Sequence, residues 1–335
     1  MGQHVRVAAL LICAGLVVTG CGKQSASSPL PETLASSRLN ASQAVLPPSN
    51  TWSVIASMQK PTTSMAATNT LGLVYSIGGY TIKGISNAVT AYNPSTNTWQ
   101  YRASMPIKRY ELAATTTNNI IYAVGGTDNT GGTAVGNMEA YDPNTNSWTE
   151  KAGMLTPRWA LSASFANGMI FALGGSDSTA AIRNLNEEYN PSTNSWSTKA
   201  PMPTARRFFA ARTIKHIIYA VGGMTDGLGI VGTLEAYNPA TDTWTTKTPM
   251  PTPRWDLVAA VVNNKLYAIG GLDSSDKLLA NVEAYDPSTN SWTVEAPLPG
   301  ARYGHGATAV NGRIFSFGGE YKIAHLTPSA FAYTP

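Results

Sequence analysis

The stretch Ile121-Tyr122-Ala123-Val124-Gly125-Gly126 decides the fold, because the chain repeats it. Val74-Tyr75-Ser76-Ile77-Gly78-Gly79 precedes it. Ile170-Phe171-Ala172-Leu173-Gly174-Gly175, Ile218-Tyr219-Ala220-Val221-Gly222-Gly223, Leu266-Tyr267-Ala268-Ile269-Gly270-Gly271 and Ile314-Phe315-Ser316-Phe317-Gly318-Gly319 follow it. Each is a short apolar and aromatic run closed by two glycines, which reads as a buried strand ending where a Cβ would not fit. The second glycines lie 47, 49, 48, 48 and 48 residues apart, and Trp52, Trp99, Trp148, Trp196, Trp244 and Trp292 keep the same spacing. A period of this length means one supersecondary unit stacked on copies of itself.

Within a unit the second copy parses into four strands: 110–117, 120–124, 137–141 and 147–150. Asp142-Pro143-Asn144-Thr145-Asn146 supplies the tight turn before the last strand, and near-identical turns follow Tyr92, Tyr189, Tyr237 and Tyr285. The tyrosine before the turn and the tryptophan after it fall on adjacent strands, where they fill the space between sheets. Six units of four antiparallel strands predict an all-β, six-bladed β-propeller. The last unit stops after three strands at Ala330-Phe331-Ala332-Tyr333-Thr334-Pro335. Its missing turn and strand have the form of Pro48-Ser49-Asn50-Thr51-Trp52, so the strand near Trp52 is expected to complete the C-terminal blade and close the ring.

The glycine pair, the tyrosine about 16 residues on and the tryptophan seven after that resemble the kelch repeat. The resemblance covers 48–335 and implies a kelch-type propeller. Propellers of this kind host binding modules and a few enzymes.

The N-terminal segment reads differently. Arg6 and the apolar run from Val7 to Val18, followed by Val18-Thr19-Gly20-Cys21, resemble a bacterial lipoprotein signal. This implies a signal peptide at 1–20, lipidation at Cys21, and a Ser/Ala/Pro-rich tether over 21–47. Gly22 after the cysteine implies the outer membrane rather than the inner one. The expected location is the cell envelope, with membrane contact through the lipid alone. Cys13 and Cys21 are the chain's 2 cysteines, so the folded part can form no internal disulfide. A net charge of +4 spread along 335 residues gives no reason to expect nucleic acid, and a monomer is expected.

Candidate binding residues stand where one blade leads into the next. Arg109, Arg158, Arg206, Arg254 and Arg302 recur there, followed by Tyr110, Trp159, Arg207, Trp255 and Tyr303; Thr62 and Thr63 take these places in the first blade. In kelch propellers this segment opens the innermost strand, so the resemblance implies that these side chains ring one mouth of the central channel. Guanidinium groups and aromatic rings suit a protein segment or a carbohydrate ligand. Arg207 with Phe208-Phe209 breaks the pattern and marks the blade to test. Glu139, Glu188, Glu235 and Glu283, beside the third-strand tyrosine, read as structural partners. His216, His305 and His325 have no metal-ligand spacing, and no nucleophile elbow, phosphate loop or zinc-binding helix motif occurs, so neither metal nor cofactor is expected. The expectation is a binding module of the envelope. The alternatives are a sugar-modifying enzyme resembling the N-acetylneuraminate epimerases, with His305 or Glu320 in proton transfer, and a structural envelope protein.

Overall fold

The computed structural model describes residues 49–129, 133–227 and 229–335. The signal segment, Cys21 and the tether fall outside them. Among the described residues there is no helix, and six four-stranded antiparallel sheets form the blades. The innermost strands are Ala66–Thr70, Ala113–Thr117, Ser162–Ala166, Ala210–Ile214, Val258–Val262 and Gly306–Val310. Neighbouring inner strands pack in that order and the last returns to the first, which makes the ring.

Closure occurs where the sequence places it. Thr51–Ile55 pairs antiparallel with Ala330–Thr334, with Trp52 opposite Tyr333. The glycine-ended run is the second strand of each blade and is almost wholly buried. In the second blade the first strand starts at Ala113 rather than Tyr110. Glu111 has φ 53°, in the left-handed region, and breaks the extended run there.

The outer edge is held by a repeated clasp. The turn residues Asn50, Asn97, Asn146, Asn194, Asp242 and Asn290 all have φ between 51° and 55°, a conformation that short polar side chains tolerate. Their Oδ1 atoms accept the third-strand tyrosine hydroxyl, as Asn146 does from Tyr141 at 2.7 Å, and also a backbone N–H of the adjacent blade, as from Ala103 at 2.8 Å. Trp148 Nε1 then donates to the carbonyl of the same Ala103 at 2.8 Å. Asn50 and Trp52 repeat this grip on Ala296, at 2.7 and 2.9 Å, so the N-terminal strand closes the outer belt as well as the sheet. The tyrosine and tryptophan therefore pack and also bond across the blade boundary.

A second closed ring surrounds the axis. Ser64, Glu111, Ala160, Phe208, Asp256 and Gly304 occupy equivalent places, all with φ between 51° and 59°. Each donates its N–H to the carbonyl of the one before it, at 2.7 to 3.4 Å, and Ser64 completes the circle by donating to Gly304. The residue that follows each of them turns inward into the blade. Phe209, for example, is wedged against Gly174 of the preceding blade and Gly223 of its own. This contact explains the glycine pair. A Cβ on Gly174 would lie 2.5 Å from the Arg206 carbonyl oxygen and 2.6 Å from the Phe209 ring, at a φ of 55°. Gly174→Ala is therefore expected to lower unfolding free energy by at least about 2 kcal/mol. Urea denaturation checks this, and a loss within error would contradict the close-approach argument.

Candidate functional site

The conserved geometry of the blade junction assigns its arginines to the interior. Arg109, Arg158, Arg206 and Arg254 are fully buried, and Arg302 is 2% exposed. Arg109 Nη2 meets Glu139 Oε2 at 2.6 Å, Arg206 Nη2 meets Glu235 Oε2 at 2.6 Å, Arg254 Nη1 meets Glu283 Oε2 at 2.7 Å, and Arg158 Nη2 meets Glu187 Oε2 at 3.2 Å. The same guanidinium groups cap strand carbonyls, as Arg109 does with Gly125 and Asn137 at 2.8 and 2.9 Å. The expectation that Arg109, Arg158, Arg206, Arg254 and Arg302 hold a ligand at the mouth is thus corrected. These groups knit each blade's first segment to its third strand and cannot reach solvent. In the third blade the partner is Glu187 and not Glu188, which instead pairs with Lys199 at 3.2 Å.

The two departing blades follow the same logic. Where Arg is Thr62, the glutamate position is Thr90, and both are buried; the missing groups leave a void of about 20 Å³ beside them. In the last blade the glutamate position is Phe331, over whose ring Arg302 stacks at 4.7 Å, with Ser329 Oγ accepting at 3.0 Å. Removing one partner of a buried ion pair strands the other charge, at about 3–5 kcal/mol. Arg254→Thr alone is expected to cost that much. The double change Arg254→Thr with Glu283→Thr, which copies the first blade, should cost well under half as much. Chemical denaturation of both variants decides this, and equal losses would refute the pairing.

The residue after each arginine does reach the mouth. Thr63 is buried there, whereas Tyr110, Trp159, Arg207, Trp255 and Tyr303 are half-buried, and each bridges to the residue after its own blade's glycine pair, as Trp159 does to Ser176. Two sectors differ in character. On one side Tyr80 and Tyr110 meet edge-on at 5.7 Å. On another, Phe208 is flanked by Trp159 at 5.8 Å and Trp255 at 5.4 Å. The Arg207 guanidinium stacks on Trp159 at 5.2 Å and Phe208 at 5.6 Å. Its hydrogen-bond partners are weak ones, Ser176 Oγ at 3.4 Å and Met224 Sδ at 3.5 Å. No carboxylate pairs with it among the described residues.

Neither candidate for proton transfer stands free on the open rim. His305 is 2% exposed and occupies the place held by Met65, Leu112, Leu161, Phe209 and Leu257 in the other blades. Burial and the nearby Arg302 push its pKa well below the ordinary value, so it packs as a neutral ring. Glu320 is engaged by the Tyr303 hydroxyl at 2.5 Å and the Ala324 N–H at 2.7 Å.

Reading the sequence missed two other acids. Glu111 and Asp256 belong to the inner ring, three places apart on opposite sides of the axis, and line a cavity of about 120 Å³ beneath the mouth. Burial raises Glu111 to about 8, with Asp256 adding to the rise and Arg207 opposing it. Burial and Glu320 raise Asp256 to about 7. The available signal was their disagreement with Ser64, Ala160 and Gly304 in the same register.

Comparison with known proteins accords with this architecture. The KLHDC2/KLHL20/DRC7 Kelch-repeats domain matches residues 104–271, and the Kelch motif matches 61–106 and 254–299. The chain belongs to the kelch-repeat family. Among solved structures it is similar to one described as "Structure of YjhT", with a TM-score of 0.73 over 82% of this chain and 95% of that chain. At 14% identity this likeness is one of fold. No curated protein matches the sequence. Kelch propellers commonly mediate protein binding, and the mouth just described is where this one differs from blade to blade.

The acids give the mouth a pH signature. Their folded pKa values lie above the ordinary 4.5 and 3.8. The stability they contribute is therefore fully present below those ordinary values and is lost as pH rises through about 7 to 8. Glu111→Gln with Asp256→Asn should leave the melting temperature unchanged at acid pH and raise it by a few degrees in mildly alkaline buffer. The same difference at both pH values would contradict the assignment.

Proposed function

We propose that this kelch propeller is a binding module of the bacterial cell envelope, tethered through lipid at Cys21 on the outer membrane, and that it holds a segment of a partner protein at one sector of its mouth. The observation that carries this reading is Arg207. Its guanidinium stacks on Trp159 and Phe208, lies partly open to solvent and forms no ion pair among the described residues. A planar cation pre-oriented in this way favours a carboxylate and loses little side-chain freedom on binding. Trp159, Phe208 and Trp255 supply an apolar surface beside it, the composition typical of binding hot spots. The segment that fits carries an acidic residue next to an aromatic or aliphatic one. The ligand role passes from the buried arginines to Arg207 and its aromatic neighbours, with Tyr110 and Tyr303 on the remaining rim.

A displayed random-peptide library panned on the full-length protein tests this. Acidic-apolar sequences should be enriched, and Arg207→Ala or the pair Trp159→Ala with Trp255→Ala should weaken the selected peptides by at least about tenfold, the loss of one charge-assisted contact or one anchor. Enrichment that survives both changes, or a panel of glycans bound where no peptide is, would overturn it.

A further inference from the structure

Arg212 is the one charged residue in the six innermost strands. Its counterparts are Thr68, Thr115, Ser164, Ala260 and Thr308. One position earlier every blade carries alanine, Ala67 through Ala307, so the inner strands carry a girdle of small side chains at this level. That girdle leaves room for a guanidinium. Arg212 Nη1 donates to Ala211 O at 2.8 Å, and Nη2 reaches Ala307 O at 3.2 Å, on the strand two blades away. Arg212 lines both the small cavity under the mouth and a second cavity of about 520 Å³ at the opposite end of the channel.

The charge has no counterion. Among the described residues no carboxylate forms an ion pair with Arg212, and its two bonded acceptors are neutral carbonyls. Three of its five N–H groups remain for a ligand. Burial lowers its pKa only to about 10, so the group is charged at neutral pH. Arg212 is half-buried, and a partly desolvated cation without a counterion is disfavoured, which an anion would offset.

The larger cavity has the wall for one. Among the described residues Arg212 is the only charged one that lines it. Thr68 and Thr116 share a hydrogen bond of 2.8 Å, Ser164 and Thr213 another of 2.8 Å, and Thr308 donates to Asn69 at 2.7 Å. Each of these groups has a lone pair or proton to spare, and together they line the wall with hydroxyls and an amide. The volume falls in the range of small-molecule sites, about 300–1,000 Å³. The charge balance selects among anions, because one guanidinium neutralises one negative charge and a dianion would leave a second uncompensated among neutral groups.

We propose that this end of the channel binds a small hydroxylated carboxylic acid, its carboxylate on Arg212 and its hydroxyls on the threonine, serine and asparagine wall. The site is separate from the mouth at Arg207 and does not depend on that reading.

Calorimetry and thermal melting of the full-length protein with D-glucuronate, D-gluconate, D-glucose and inorganic phosphate test it. Saturable one-to-one binding of at least one of the two carboxylates is expected, with glucose and phosphate at least about tenfold weaker. Arg212→Thr, which copies the first blade, should abolish carboxylate binding and leave the ligand-free melting temperature equal or higher, because a partly desolvated, unpaired charge is gone. Arg212→Lys should retain weakened binding, and Arg207→Ala should leave it unchanged. The proposal fails if neither carboxylate binds, if phosphate binds as well as they do, or if Arg212→Thr folds and binds as the parent does.

Discussion

The ring of backbone hydrogen bonds through Ser64, Glu111, Ala160, Phe208, Asp256 and Gly304 is the constraint on which the rest of the structure depends. A non-glycine residue in the left-handed region costs about 1–2 kcal/mol, and each hydrogen bond returns about 0.5–1.5 kcal/mol. The ring thus contributes little net stability by itself. Its importance is geometric. The left-handed residue turns the chain so that the next side chain, Leu112 or Phe209, enters the blade and wedges beneath the glycines. It also presents the preceding arginine carbonyl to the N–H of the neighbouring blade's second glycine, as Arg158 does to Gly126 at 2.9 Å. Glycine pair, inward wedge and buried arginine are consequences of one turn made six times. The outer clasp, with Asn50 and Trp52 gripping Ala296, ensures that the circle closes at both radii.

Because the turn is made by the backbone, its side chains are left to vary. Serine, glutamate, alanine, phenylalanine, aspartate and glycine all occupy the inner ring with nearly the same φ. By contrast the arginine two residues before it in five of the blades is fixed by burial, since its guanidinium must satisfy strand carbonyls and, in four of them, a glutamate at once. The junction therefore contains a rigid residue and a variable one side by side, with the variable one facing the channel.

This division explains what could be read from the sequence. Period and turn chemistry revealed six blades and the closing strand, because both depend on local spacing. The arginines were misplaced for a physical reason: spacing shows which position recurs and does not show which way a side chain points after a left-handed residue. A co-occurrence held the missing clue. Arg109, Arg158, Arg206 and Arg254 each have a glutamate two residues before the third-strand tyrosine, at Glu139, Glu187, Glu235 and Glu283, and Thr62 has Thr90 there. Where the charge comes and goes with its opposite it is one half of a buried pair, and Arg302, which stacks on Phe331 instead, is the exception. Arg207 could be singled out because it interrupts a repeat. Glu111, Asp256 and Arg212 were as irregular, but they sit in runs of small residues where a single change draws less notice.

In a closed ring of equivalent blades, polarity can arise only from residues that differ between copies. Several of those residues cluster on one side of the axis, with Glu111 of the second blade opposite them. Arg207, Phe208 and Arg212 come from the fourth blade and Trp255 and Asp256 from the fifth, with Trp159 of the third beside them. Along the axis they form a sequence: Arg207 on the rim, Glu111 and Asp256 below it, Arg212 at the alanine girdle, and uncharged hydroxyls beyond. A negative group approaching the rim meets Arg207 first and is then repelled by whichever of Glu111 and Asp256 is ionised, more strongly as pH rises. From the other end no acid among the described residues lines the cavity before Arg212. The acids therefore divide the channel into two stretches of opposite electrostatic character, although a single sixfold backbone builds both.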